Sequence, residues 1–311
     1  MNEPATLGAI SCADKFILVG DHKQLPPLVN SAIAENGGYG VSVLKRLADS
    51  HPNAIAQLTM QYRMNEAICQ ISSEATYGGL LKCGNDNVKL QLLQLPAYPT
   101  LLPTPVNVNQ PCFVWLHSVV DPQRPVIFVD TDNIRTGLPP YSNPSDSTAQ
   151  DNKFEALEGR AGGSIVNRTE ATLVRYIVKA LHLCGHELSD IGVISPFRAQ
   201  IRVLEESSTI MSLKKGGLEL STIDKYQGRD KSTIVISLVR SNERNSVGRL
   251  LQDERRLNVA LTRAKKKVIV LGSFKTLKNG SAHLQPILNR MNMRNQRFLL
   301  PDNAVECYSI P

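Results

Sequence analysis

The chain has 311 residues, 42% of them hydrophobic and 20% charged, which excludes fibrous and disordered classes and leaves room for one large or two medium domains. Its 35 Lys and Arg against 28 Asp and Glu give a net charge of +7, a tilt towards a polyanionic partner. No apolar run approaches the roughly 18 residues of a membrane helix, and the N-terminus lacks the charged-then-apolar layout of a signal peptide, so no membrane association is expected.

Apolar β-rich runs alternate with helical periodicities, which predicts an α/β fold with a parallel sheet flanked by helices. In chain order, residues 16–19 read as a buried strand and 41–47 as a helix. Residues 65–77 read as a second helix with Asn65 as its N-cap, and 125–129 as a short strand. A longer helix is predicted over 169–184, with Leu173, Ile177, Ala180 and Leu181 on one side. Strands follow at 191–194, 218–222, 233–239 and 268–271, with helical patterns starting at Ala199 and Arg255.

Two stretches break this rhythm. Residues 95–110 carry Pro96, Pro99, Pro103 and Pro105, and residues 131–163 are rich in Ser, Asn, Asp, Gly and Pro. Both are expected to be irregular, the second as a mobile surface insertion. The six cysteines (Cys12, Cys69, Cys83, Cys112, Cys184 and Cys307) form no CxxC pair and read as free thiols. His182, Cys184 and His186 crowd together at a helix end, where capping and surface roles account for them better than a metal.

Five segments carry phosphate-handling chemistry. Gly20 to Pro27 follows the strand at 16–19, at the end where parallel sheets place ligand-contacting groups. There Asp21 could orient a metal-bound water, and Gln24 a terminal phosphate or attacking water. Tyr62 and Arg63 precede a helix, a favourable place for an anion. Ser195 and Arg198 close a strand and open a helix in the same way. The loop from Ser221 to Asp230, with Thr222, Gln227 and Gly228, offers hydroxyls, an amide and a carboxylate.

The fifth segment runs from Arg255 to Lys265. At helical spacing, Leu257, Ala260, Leu261 and Ala264 form one apolar stripe, while Arg256 and Arg263 stand on another. Two guanidiniums held that way suit recognition of phosphate charge. Taken singly, each segment also reads as an ordinary turn, cap or solvated basic helix. Their joint occurrence in one chain favours the phosphate reading.

The ordered phrases GDHKQLPPLV, LTMQYRMN, IGVISPFRAQ, STIDKYQGRDKS and RRLNVALTRAK resemble motifs III to VI of the superfamily 1 helicases that move 5′ to 3′. Within that superfamily the chain is most similar to the eukaryotic DNA replication helicase/nuclease family, with weaker matches at PVIFVDTD and NRTEA. The resemblance implies a RecA-like, P-loop NTPase-type fold. Residues 1–58 would be the tail of a first RecA-like domain (motif III), and 59–311 a second (motifs IV to VI). It further implies that Gln24 senses the γ-phosphate and that Arg63 and Arg263 are arginine fingers. Asp230 would bind the ribose where many relatives carry Glu, and Tyr62 would line the nucleotide cleft. Asp21, Gln227, Gly228 and Arg256 join that nucleotide-binding set. Ser195, Arg198 and Thr222 would touch the backbone of single-stranded DNA.

ATP and Mg²⁺ are the implied cofactors, with an iron–sulfur cluster in the family's nuclease domain, whose cysteine ligands none of the six here matches. Single-stranded or flapped DNA and replication and repair proteins are the implied partners, and the nucleus, with the mitochondrion second, the implied location. No Gly in the sequence is followed by Lys, so the G-x-x-x-x-G-K-[ST] phosphate cradle is absent, and a Walker B carboxylate pair is missing too. The expectation is therefore a C-terminal motor fragment without ATPase activity of its own, and a first 58 residues that expose a strand edge. Two rivals stay open, an RNA-directed superfamily 1 helicase and a non-catalytic module binding single-stranded nucleic acid or a partner. An aromatic content of 5% supplies few stacking platforms for the latter.

Overall fold

The computed structural model describes residues 2–29, 31–100, 102, 114–135 and 157–305. The chain forms two compact units, Met1–Thr59 and Met60–Pro311. Most of the Pro-rich stretch and residues 136–156 of the expected insertion lie outside the described residues.

Unit 1 holds α1 (Glu3–Ile10), α2 (Ala32–Asn36) and α3 (Val43–Ser50). The Ser42 hydroxyl accepts the Lys45 N–H at 3.2 Å, so α3 starts two residues later than the periodicity at 41–47 suggests. The buried strand expected at 16–19 does not form: Ile17 is 91% and Val19 93% exposed. A strand needs a hydrogen-bonded neighbour, and among the described residues of unit 1 there is no other strand to supply one.

Unit 2 begins with β1 (Met60–Gln61), α4 (Glu66–Thr76), β2 (Lys82–Cys83), α5 (Asp86–Lys89), α6 (Val114–Val120) and β3 (Val126–Asp130). There follow β4 (Gly159–Ala161), β5 (Ser164–Val166), α7 (Arg168–Leu183), β6 (Ile191–Ser195), α8 (Arg198–Glu205), α9 (Ser208–Lys215) and β7 (Glu219–Thr222). It ends with β8 (Lys231–Ser237), α10 (Gly248–Gln252), α11 (Glu254–Leu261), β9 (Ala264–Gly272), α12 (Phe274–Gly280), α13 (Leu284–Met293) and β10 (Arg297–Leu299). Among the described residues, no helix is long and apolar enough to cross a membrane.

Six strands form one parallel sheet in the order β10-β3-β9-β8-β6-β7. Alternate residues Ile127, Val129, Val193, Val235 and Ile269 bury one face against Leu173, Ile177 and Leu181 of α7. The intervening Phe128, Ile234, Ile236 and Val268 are equally buried, so both faces are covered, and α4 and α11 pack on β9. That double burial is why these strands read as continuous apolar runs.

The stretch 131–163 is not irregular throughout. Its end forms an antiparallel hairpin of β4 and β5, turning at Gly162 and Gly163 with φ of +55° and +79°. A two-residue Gly-Gly turn needs positive φ at both positions, and that was the available signal.

A buried polar network ties α7 to the sheet. The Asn167 side chain accepts the Glu170 N–H at 2.9 Å, capping α7. The Glu170 carboxylate accepts the Ser237 hydroxyl at 2.6 Å and the Val239 N–H at 2.9 Å. Burial pushes the Glu170 carboxyl up from 4.5 to about 7, against the pull of those two donors. The folded state thus holds this proton more tightly than the unfolded chain. Its contribution is fully present below pH 4.5 and is lost as pH rises through about 7. Glu170→Gln is expected to make the fall in stability across that window shallower, measured as urea midpoints at a series of pH values. An unchanged slope would contradict this assignment.

Candidate functional site

The N-terminal edge of the sheet gathers the charged groups. β8 and β9 pair from Lys231 and Ala264, and the Lys231 N–H donates to the Arg263 carbonyl at 3.0 Å. Asp230 and Arg263, each one residue before its strand, are therefore neighbours. The turn at 61–65 docks against the same edge: Asn65 donates its backbone N–H to the Lys265 carbonyl at 2.9 Å and its amide to the Lys266 carbonyl at 2.8 Å. The Gln61 side chain accepts the N–H groups of Arg63 and Met64, both at 2.8 Å, and shapes the turn.

Arg63 is thereby aimed at the edge. Its Nε donates to Asp230 Oδ2 at 3.1 Å and its Nη1 to the Thr262 carbonyl at 3.3 Å. Lys265 Nζ lies 2.6 Å from Asp230 Oδ1. Burial of Asp230 works against its ionisation, but Lys265 and Arg63 outweigh it and hold the carboxyl below its ordinary range. Arg263 is buried and held by protein groups, donating from Nε to the Val259 carbonyl at 2.9 Å and from Nη2 to the Thr262 hydroxyl at 2.9 Å. Burial, with the charge of Arg63, lowers it to about 10, so it remains a cation at neutral pH. Arg63, Arg263 and Lys265 face one carboxylate, and that surplus of positive charge suits an incoming polyanion.

The arginine helix differs from its sequence reading. α11 stops at Leu261, where the Thr262 N–H closes on Asn258 O at 3.0 Å, and Ala264 already belongs to β9. Arg256 and Arg263 therefore share no helix face. Pairing with β8 from Ala264 onwards overrides the helical periodicity, as tertiary pairing commonly does. Arg256 instead bridges Asp224 at 3.1 Å and Asp253 at 3.0 Å.

The other expected residues lie as follows. Tyr62 is exposed and covers Gly84, where an added Cβ would come within 2.3 Å of its ring. Gln227 and Gly228 are exposed in the loop before Asp230. In unit 1, Asp21 accepts the Lys23 N–H and the Gln24 amide, both at 2.9 Å, forming a local turn.

Ser195 and Thr222 pair in register at the opposite, C-terminal edge of the sheet. Arg198 is exposed in the first turn of α8, and Thr222 is half-buried. Ser195 is fully buried and accepts the Phe197 N–H at 3.3 Å, so its hydroxyl presents no surface to an external strand. Its place in a paired strand end encloses it. The segment 223–230, through a 3-10 turn at Asp224–Tyr226, carries the chain from one edge to the other, which separates Thr222 from Asp230. Lys265 went unnoticed as a site residue. It stands second in β9, beside the end of the turn that carries Arg263, a placement available only once β9 is known to start at Ala264.

A doubly covered parallel sheet with basic groups gathered at one edge is the architecture of a RecA-like domain of the P-loop NTPase type. An AAA-domain family profile matches residues 39–275, and a second AAA-domain profile matches residues 1–32. The chain is 40% identical over 310 residues to the DNA replication ATP-dependent helicase/nuclease DNA2 of Xenopus laevis, covering 100% of this chain and 27% of that protein. The proteins of the same name match at 41% in Mus musculus, over 99% of this chain and 27% of theirs, and at 37% in Saccharomyces cerevisiae, over 99% and 19%. The chain belongs to the AAA-domain family and is homologous along its length to these helicase/nucleases. It spans about a quarter of the length of the curated relatives it matches.

Arg63 and Asp230 keep side-chain exposures of 36% and 29%. Solvent screening at that exposure should hold their mutual stabilisation to about 1 kcal/mol or less. A double-mutant cycle with Arg63→Ala and Asp230→Ala, read by denaturant unfolding, is expected to return that small value. A coupling several times larger would make the pair a structural tie rather than a site open to a ligand.

Proposed function

We propose that this chain is the C-terminal motor portion of an ATP-dependent 5′-to-3′ DNA helicase/nuclease acting in replication and repair. On this reading residues 1–58 are the tail of a first RecA-like domain and 59–311 are the second. The observation that carries the reading is the convergence of Arg63, Arg263 and Asp230 from three distant segments on one edge, with cationic charge in surplus.

That surplus fits a nucleoside triphosphate. Arg63 and Arg263 would bind the terminal phosphate oxygens, Asp230 would take a ribose hydroxyl, and Tyr62, Gln227, Gly228 and Arg256 would surround them. Asp21 and Gln24 would belong to the first domain's own nucleotide-binding set, with Gln24 as its γ-phosphate sensor. Bound ATP supplies the phosphoanhydride bond whose hydrolysis drives a motor. Among the described residues no cluster of three metal-ligating side chains occurs, so Mg²⁺ would be held chiefly through the phosphates and a P-loop domain. At the other edge Arg198 and Thr222 would contact single-stranded DNA, with Ser195 supporting them from beneath. DNA is favoured over RNA because the matched relatives are named for DNA replication. Nuclear residence, with a mitochondrial pool, and replication and repair partners complete the proposal.

The sequence contains no P-loop, so the 311-residue chain by itself should hydrolyse ATP at background rate. Joined to a P-loop-bearing first domain it should show DNA-stimulated turnover. There Arg263→Ala should lower kcat by ~10³-fold or more, the scale of an arginine finger. Full turnover in that variant would overturn the assignment of Arg263, and turnover by the chain alone would overturn the division of labour.

A further inference from the structure

The β4–β5 hairpin belongs to neither group of residues above. Its register sets Gly159 opposite Val166, Arg160 opposite Ile165 and Ala161 opposite Ser164. Side chains alternate along a strand, so Val166 and Ala161 face the core while Arg160 and Ile165 share the outward face. At the turn, a Cβ added to Gly162 or Gly163 would meet nothing within 4 Å, so the tip is bare backbone open to close approach.

Both arms are fixed to the C-terminal edge of the sheet. Ahead of β4, the Glu158 N–H donates to the Ser241 carbonyl at 3.0 Å. Its carboxylate accepts Arg240 Nε at 2.7 Å, the Ser241 N–H at 3.0 Å and the Asn242 amide at 3.1 Å. Behind β5, Asn167 and Gln200 exchange two hydrogen bonds of 2.8 Å. Gln200 lies in the first turn of α8, the turn that carries Arg198. Arg160 and Arg198 are both exposed, and neither has a hydrogen-bonding or ion-pair partner among the described residues. An uncompensated guanidinium on a rigid mount, beside open backbone, has the chemistry of a phosphate-positioning contact.

We propose that this hairpin carries a phosphate-backbone contact for single-stranded DNA, made by Arg160 beside the open Gly162–Gly163 tip, on the path marked by Arg198 and Thr222. The proposal rests on the reading of this edge as the nucleic-acid side.

The test is fluorescence anisotropy of a labelled oligo-dT of about 16 nucleotides, titrated with the 311-residue chain over a series of salt concentrations. Arg160→Ala should bind several-fold more weakly. Its log K against log salt should be shallower by about 0.7, the loss of one contact on a single strand. Arg160→Lys should recover most of the affinity, and thermal melting should not change. Unchanged affinity and slope in Arg160→Ala would overturn the hairpin contact alone. An equal loss in Arg124→Ala, which precedes β3 at the other edge of the sheet, would reduce the effect to diffuse charge and also overturn it. A wild-type chain that does not bind the oligonucleotide would overturn the reading beneath it as well. An oligo-rU arm of the same length shows whether the backbone contact discriminates DNA from RNA.

Discussion

The site depends on where β9 begins to pair with β8. Parallel strands that start level with each other place the residues before them side by side, and here those residues are Asp230 and Arg263. The backbone hydrogen bond from Lys231 to Arg263 fixes that level, and Asn65 clamps the Arg63 turn onto the carbonyls of Lys265 and Lys266. The register shifts by one residue between Lys231 and Thr233, so the bridge of Lys231 to Ala264 sets the level of the charged edge, and the core pairing resumes at Thr233 opposite Lys267. The Arg263 guanidinium is held by carbonyls and a hydroxyl of its own neighbourhood, so its placement does not wait for a ligand. Charge held in advance, in a partly water-excluded place, is what makes such groups effective towards a developing anion.

The opposite edge is organised by strain. Val239 has φ of +71°, a genuine outlier for a β-branched residue, and the Arg240 N–H closes on the Leu238 carbonyl at 2.7 Å. Glu170 holds this turn from beneath and Glu158 holds Arg240 and Ser241 beyond it. Such a conformation persists only where its surroundings over-determine it, and it is concentrated at functional positions. The 223–230 segment joins this edge to the charged one, with Tyr226 buried at its middle.

Much of this was legible in the sequence, for identifiable reasons. The strands around 126–130, 191–195 and 231–237 are short apolar runs ended by turn residues, and α7 has a clear 3.6-residue stripe behind an Asn cap. Asn65 was readable as a cap because it stands before the first apolar repeat. The end of α11 was not readable. Ala264 satisfies both the helical stripe and the strand, and three lysines disguise the start of β9. One of them, Lys267, is buried and spends its ammonium on the carbonyls of Asp121 and Arg124, at 2.8 and 2.6 Å. The run at 16–19 misled in the opposite direction: its composition suits a strand, but composition cannot supply a pairing partner. The hairpin was masked by the polar stretch that precedes it, although Gly162–Gly163 marked its turn.

Hydrogen–deuterium exchange on a protein that joins this chain to a P-loop domain tests the central claim most directly. Addition of a non-hydrolysable ATP analogue should slow exchange together in residues 61–65, 227–231 and 261–265, three stretches far apart in sequence. Slowing confined to the P-loop domain, with these three stretches unchanged, would contradict the account.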